Sequence, residues 1–94
     1  MENKHVLKLI DGIFMPSDAG NVLFDLISRK INYHQIELFS NEERFGNDLS
    51  NSISRIKQLN DIKNSLHEII AYASENGMSL KIESRIHITC IEEN

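Results

Sequence analysis

The sequence predicts an α+β fold of order β-α-α-β. In the predicted fold, a long antiparallel helical hairpin stands between two terminal strands, and these strands pair within a dimer. Three observations predict it. Short segments rich in Val, Ile and Leu stand at both ends of the chain. Two long segments between them repeat apolar residues every three or four positions. Met15–Asp18 and Asn76–Gly77 have compositions typical of a helix start and a helix stop. We interpret residues 1–94 as a single domain.

The first strand is expected at about 5–14, HVLKLIDGIF, which is rich in β-branched residues and too short for a stable helix. A strict two-residue period makes both faces apolar, with Leu7, Leu9 and Ile13 on one face and Val6, Ile10 and Phe14 on the other. Such a pattern indicates a strand buried on both sides along at least part of its length.

The first helix is expected at about 16–39. Pro16 suits the first helical position because its missing N–H has no intrahelical partner there, and Asp18 complements the positive end of the helix dipole. Apolar residues follow at helical spacing, at positions 19, 22, 23, 26, 27, 31 and 38. Ser40–Glu43 then has the form of a capping box, so a connecting segment is expected at about 40–48.

The second helix is expected at about 49–76, where apolar residues return with steps of three and four. Its predicted buried stripe consists of Leu49, Ile53, Ile56, Leu59, Ile62, Leu66, Ile69 and Ala73. Gly77 ends this helix, since glycine readily adopts the left-handed conformation that follows a helix end.

The last strand is expected at about 79–91, SLKIESRIHITCI, which alternates more regularly than any other segment. Its apolar face comprises Leu80, Ile82, Ser84, Ile86, Ile88 and Cys90, and its polar face Lys81, Glu83, Arg85, His87 and Thr89. The pattern predicts a half-buried strand with one wet face and a buried Cys90 thiol that acts as a small hydrophobe.

The hairpin brings both strands to one end, where they pair directly or lie apart in a wider sheet. A lone two-stranded ribbon is marginal in water, and residues 80–90 present a long apolar face and an open edge that proteins seldom leave unprotected. We therefore expect a homodimer that completes a four-stranded sheet or packs two hairpins together.

The net charge of −4 and the mixed charges of the middle segment argue against nucleic acid as a partner. Residues 29–63 carry six cations and five anions, which indicates a solvated face. One cysteine excludes an internal disulfide. No signal-peptide core or membrane-spanning stretch occurs, so we expect a cytoplasmic protein with no membrane partner.

Residues 30–46, KINYHQIELFSNEERFG, hold the candidates for a binding site: His34, Arg44 and Phe45. His34 and Glu37 share a helix face, but metal sites in helical bundles use the order Glu-x-x-His with further carboxylates. We therefore expect no metal and a half-exposed histidine near a helix end.

Arg44, Phe45 and Gly46 could form a corner that binds an anion or a peptide, with the guanidinium forked onto a carboxylate or phosphate. The favoured interpretation is structural: Phe45 closes the open end of the hairpin and Arg44 pairs with a nearby carboxylate. The sequence contains no phosphate-binding glycine motif and no assembled nucleophile, base and orienting group. We expect no catalytic residues and no cofactor.

The run IDGIFMPSDAGNVL, followed by KINYHQIELFSNEERFG, resembles a group of short uncharacterised bacterial proteins. Their pattern is D-G-x-F, P-x-x-A, K-I-x-x-H and R-F-G, which matches Asp11, Gly12, Phe14, Pro16, Ala19, Lys30, Ile31, His34, Arg44, Phe45 and Gly46. The resemblance implies the β-α-α-β order and a bacterial source. It implies no activity, cofactor or site.

The first functional hypothesis is a non-enzymatic protein–protein interaction or scaffold module, homodimeric, with room for an unidentified protein partner. The second is a small nucleic-acid-associated regulator, which a salt-dependent shift of DNA or RNA would support. The third is a small-ligand or metal-binding protein centred on His34 and Arg44, which ligand-dependent thermal stabilisation would support.

Overall fold

A computed structural model describes residues 2–44 and 50–92, of which 41–44 are described by their backbone alone. The elements follow the predicted α+β order: β1 (Lys4–Phe14), α1 (Pro16–Arg44), α2 (Ser50–Glu75) and β2 (Leu80–Thr89). The two strands pair directly and antiparallel, so of the two arrangements left open by the sequence the chain adopts the first.

Helix α1 begins at Pro16, as predicted, but it is longer than the sequence pattern indicated. The predicted end near residue 39 is too early, and Ser40 lies inside the helix rather than at the start of a connection, so its interpretation as a cap is wrong. The reason is local: residues 41–44 include two glutamates and an arginine, which have high helix propensity, and no glycine or proline stands between Ser40 and Gly46. The rest of the predicted connection, 45–48, lies outside the described residues.

The end of α2 has the predicted cap. Gly77 has a φ of 64°, in the left-handed region that glycine adopts without steric penalty. The N–H of Met78 donates to the carbonyl of Ala73 at 2.8 Å, which is the six-to-one bond of a Schellman motif. This turn directs the chain from α2 into β2.

The helices form an antiparallel hairpin. Three cross-hairpin contacts run in opposite directions along the two helices: Gly20 with Ile70, Phe24 with His67, and Glu37 with Ser52. The rings of the middle pair are stacked with centroids 4.2 Å apart. The contacts span most of α1, so the two helices stay together along the described part of the hairpin.

The strands pair in a register that shifts by one residue between Lys8 and Ile10, which leaves Leu9 without a partner. Opposite residues of an antiparallel pair lie on the same face. The β-bulge therefore places on one face, here called the inner face, His5, Leu7, Ile10, Gly12 and Phe14 opposite Ile88, Ile86, Ser84, Ile82 and Leu80. The prediction that separated Leu7 from Ile10 is wrong, because a bulge adds one residue to the two-residue period.

The other face of the ribbon, here called the outer face, is mostly charged or polar. Its cross-strand pairs are Lys4 with Thr89, Val6 with His87, Lys8 with Arg85, Asp11 with Glu83, and Ile13 with Lys81. The alternation predicted for the last strand, apolar on one face and wet on the other, is confirmed by this register.

Candidate functional site

An open apolar groove of about 430 Å³ separates the helical hairpin from the ribbon. We call it the cleft and define it by its aliphatic lining residues: Leu23, Ile27, Ile62, Leu66, Ile69, Ile70, Leu80 and Ile82. The first six come from the helices and the last two from the inner face of β2. A second groove, between β1 and α1, is lined by the apolar residues Leu9, Ile10, Val22 and Leu26 and by the polar residues Asn21 and Asp25.

Burial of the inner face falls with distance from the helices. Phe14, Leu80 and Ile82, near the turns into the helices, are half-buried. Leu7 is 53% exposed and Ile88 is 43% exposed, although both lie on the same apolar face. The ribbon therefore diverges from the hairpin, and the described residues cover the far half of its apolar face only in part.

The predicted apolar stripe of α2 is buried only in part. Leu59 and Ala73 are buried, whereas Ile62 and Ile69 remain 46% and 50% exposed. The last two residues border the cleft, and the diverging ribbon does not reach them. Cys90 is also exposed, so the prediction of a buried thiol is wrong for the single chain.

The accessible surface of the chain is unusually large for its mass. It exposes 7634 Å², whereas a compact monomer of 10.8 kDa exposes about 5,500 Å². The radius of gyration is 16.9 Å, against about 12 Å for a compact domain of this length. The excess area is about 2,000 Å², which is the size of a protein–protein interface.

His34 lies inside the hairpin and not at its rim. It is 8% exposed, so the prediction of a half-exposed histidine near a helix end is wrong. The reason is the longer α1, which continues for ten residues beyond His34 to Arg44 and keeps this position within the helix contact. Neither ring nitrogen has a hydrogen-bond partner among the described residues, and Nδ1 lies 3.7 Å from Oε1 of Glu37.

Glu37 is the acceptor of this polar cluster. The hydroxyl of Ser52 on α2 donates a hydrogen bond to its Oε1. That bond, with a smaller contribution from the neighbouring His34, lowers the pKa of Glu37 below its ordinary value of 4.5. The cluster links α1 to α2 through one hydrogen bond, and this arrangement fits a structural role.

The other two predicted candidates, Arg44 and Phe45, cannot be combined with His34 into one described site. The side chain of Arg44 and all of Phe45 lie outside the described residues, as does Gly46. Within the described part of the chain, no three His, Cys, Asp or Glu side chains lie close enough to hold one metal ion.

Sequence reasoning missed an electrostatic feature of the outer face. Lys8 lies directly opposite Arg85, and Asp11 lies directly opposite Glu83. Like charges in directly opposite positions destabilise a strand pair. The Lys8 ammonium reaches Asp11 within its own strand at 3.2 Å, whereas Arg85 makes no salt bridge with the described residues. Only the register, set by the bulge, reveals this pattern.

Neither helix, over the described residues, has the length and apolar composition required to cross a membrane. Comparison of the chain with protein-family models, with curated proteins and with solved structures found no match.

Proposed function

We propose that the chain is a non-enzymatic protein–protein interaction or scaffold module of the bacterial cytoplasm that works as a homodimer. The observation that supports this proposal is that the cleft and the far half of the inner face expose apolar surface to solvent. Monomeric proteins rarely expose large apolar patches, and such patches mark interaction sites.

The area supports a permanent rather than a transient contact. If each copy covered its excess of about 2,000 Å², the dimer would bury about 4,000 Å² in total, which is in the range of obligate homodimers. Domains are stable when two layers of secondary structure enclose one core. Here the two layers diverge, and no large side chain in the described residues is fully buried.

The composition of the cleft also fits a protein partner. Its helical lining is entirely aliphatic, and its polar lining residues, Lys81, Glu83 and Ser84, all lie on the ribbon side. Enzyme and ligand sites instead have polar groups that converge on the pocket. Depletion of charge at the centre of a patch is the signature of interface cores. A second copy of the chain supplies the same aliphatic surface, so a two-fold contact covers the exposed apolar residues of both copies at once.

The solution mass tests the proposal. Light scattering behind size exclusion, over a wide range of protein concentrations, should give twice the 10.8 kDa of one chain. A mass of one chain at every concentration would contradict the proposal.

A matched pair of variants locates the interface. Ile69→Glu places a carboxylate in the cleft and should raise the dissociation constant of the dimer at least about tenfold, because the charge would lose its hydration on association. Ile53→Glu is the control: Ile53 is on the same helix and is 59% exposed, but does not line the cleft. It should leave the dissociation constant unchanged, and equal effects of both variants would place the interface elsewhere.

A further inference from the structure

We propose that two copies join through the free edges of their β2 strands, antiparallel, with Ser84 on the two-fold axis, so that Glu83 of each copy pairs with Arg85 of the other. This inference rests on the proposed homodimer and specifies its geometry. The product is a four-stranded sheet of order β1-β2-β2-β1 above four helices.

The choice of edge follows from symmetry and from the bulge. Pairing β1 of one copy with β2 of the next would leave free edges at both ends and continue into a filament, whereas a closed dimer pairs identical edges. The β1 edge is interrupted by the bulge at Leu9, a device that discourages further pairing. Strand β2 runs for 10 residues with no bulge, glycine or proline, and among the described residues no strand pairs with its second edge.

The register follows from the outer-face charges. With Ser84 on the axis, Glu83 lies opposite the Arg85 of the second copy, and the symmetry makes this contact twice. The guanidinium of Arg85, which faces Lys8 within its own chain, thereby gains a carboxylate. The carboxylate of Glu83, which faces Asp11 and lies 3.5 Å from the Lys81 ammonium within its own chain, gains a second cation.

Neighbouring registers of the two β2 strands give less favourable charge pairs or a shorter contact. An axis at Arg85 sets two guanidinium groups against each other, and an axis at Glu83 sets two carboxylates against each other. Both arrangements place like charges directly opposite, which is destabilising. An axis at Ile82 restores opposite charges but pairs only the first half of β2.

The same register covers the exposed apolar half of the ribbon. It places Leu80 of one copy beside Ile88 of the other, and Ile82 beside Ile86. Because Leu80 and Ile82 lie over their own helices, the hairpin of each copy extends beneath the far half of its partner's ribbon. The dimer therefore covers the residues that a single chain leaves exposed.

A charge exchange tests the register. Inside one chain, Arg85→Glu sets a carboxylate opposite Lys8, and Glu83→Lys gains Asp11 as its opposite residue but loses the ion pair with Lys81. Each also creates two like-charge contacts across the axis, so each should raise the dimer dissociation constant about tenfold or more. The double variant restores opposite charges across the axis and should return the constant to within about threefold of the original.

A cysteine cross-link tests the position of the axis. In a Cys90→Ser background, Ser84→Cys should form a disulfide-linked dimer under mild oxidation, because Cα atoms of opposite residues lie about 4.5–5.5 Å apart, within disulfide range. Ile86→Cys in the same background is the control: its two thiols would be separated by four residues along the strand, roughly 13 Å.

The outcomes separate this inference from the proposed function. A monomer at every concentration overturns both. A dimer in which Ser84→Cys fails to cross-link, or Ile86→Cys cross-links equally fast, or the double charge variant is no tighter than the single variants, overturns the β2 geometry and leaves the homodimer intact. A dimer with the Ser84→Cys cross-link and charge rescue supports both.

Discussion

The interior of the hairpin and the cleft are built from residues of different size. The positions that one chain buries are mostly small or polar: Ala19, Gly20, His34, Ser52, Leu59 and Ala73. The cleft is lined by large aliphatic residues, and Ile62 and Ile69 remain about half exposed. Small residues let two helices approach closely, so the hairpin completes its contact within one chain. The large residues of the cleft are not fully covered by the described part of the chain, and we propose that a second copy covers them.

The strongest way to break this comparison is to empty the interior. Leu59 is 7% exposed and is the largest apolar side chain that the hairpin buries. Leu59→Ala should lower the free energy of unfolding by about 2–5 kcal/mol, because it removes buried methyl groups and leaves a cavity. Urea denaturation at a fixed protein concentration measures the loss. Ile53→Ala, at an exposed position of the same helix, should change it by less than about 0.5 kcal/mol.

Overfilling the interior should have the next largest effect. Ala73 is 2% exposed, close to the turn that leads into β2. Ala73→Leu adds three carbon atoms to a closed contact and should cost about 1–3 kcal/mol. Ala71→Leu serves as the control, because Ala71 is exposed on the same helix. Thermal unfolding of both variants measures the difference, and a similar melting temperature for the two would show that the interior is looser than described.

The turn that joins α2 to β2 can be tested without changing the interior or the cleft. Gly77 has a left-handed backbone, and no atom lies within 4 Å of the position its Cβ would take. Gly77→Ala should therefore cost about 1–2 kcal/mol through the backbone alone. Gly77→Asn should cost less, since asparagine tolerates this conformation better than alanine. Denaturation of the two variants, in parallel, measures the order; a more stable alanine variant would contradict it.

The smallest effect is expected at the polar contact of the hairpin. Ser52→Ala removes the hydrogen bond that lowers the pKa of Glu37, so that pKa should rise toward 4.5. A carboxyl group with a lowered pKa in the folded state stabilises the fold above the unfolded pKa, and this contribution disappears as the pH falls through the folded value.

Carboxyl chemical shifts in an NMR titration measure the pKa of Glu37 directly. Stability measured between pH 5 and more acid conditions, where that contribution is lost, should depend less on pH in Ser52→Ala than in the original chain. Ser54→Ala is the control, since Ser54 is exposed on the same helix. An unchanged pKa in Ser52→Ala would show that another group holds the carboxylate.

The sequence predicted those parts of the fold that depend on local signals. The start of α1 at Pro16 and the stop at Gly77 were readable because each residue has a strong backbone preference. The end of α1 was misplaced because a capping pattern also occurs inside helices, where it has no free N–H groups to satisfy. The faces of β1 were misassigned because the bulge at Leu9 has no signature in a single strand; it is defined only by the partner strand.

The candidate site was less predictable than the fold. His34 was singled out by its type, and its burial depended on the length of α1 and the approach of α2. The cleft combines residues from three elements, and their exposure follows from the angle between the ribbon and the hairpin. Apolar spacing identifies a face of a helix but not which layer covers it. The like charges of Lys8 and Arg85 face each other across the ribbon, and their proximity could be recognised only once the register of the sheet was known.

The bulge at Leu9 sets the phase of the strand. Leu7 and Ile10 are three positions apart, and they present aliphatic side chains to the same side because the bulge accommodates the one residue that exceeds the two-residue period. Removal of Leu9 would set Lys8 next to Ile10 in a regular strand, with Leu7 and Ile10 still toward the helices and Val6 and Lys8 still toward water, so both faces would be kept and only the bulge would be lost. Leu9 is therefore not needed for the pattern of the two faces; its presence keeps the β1 edge irregular, and a one-residue deletion here would give the ribbon two straight edges to which further strands could add.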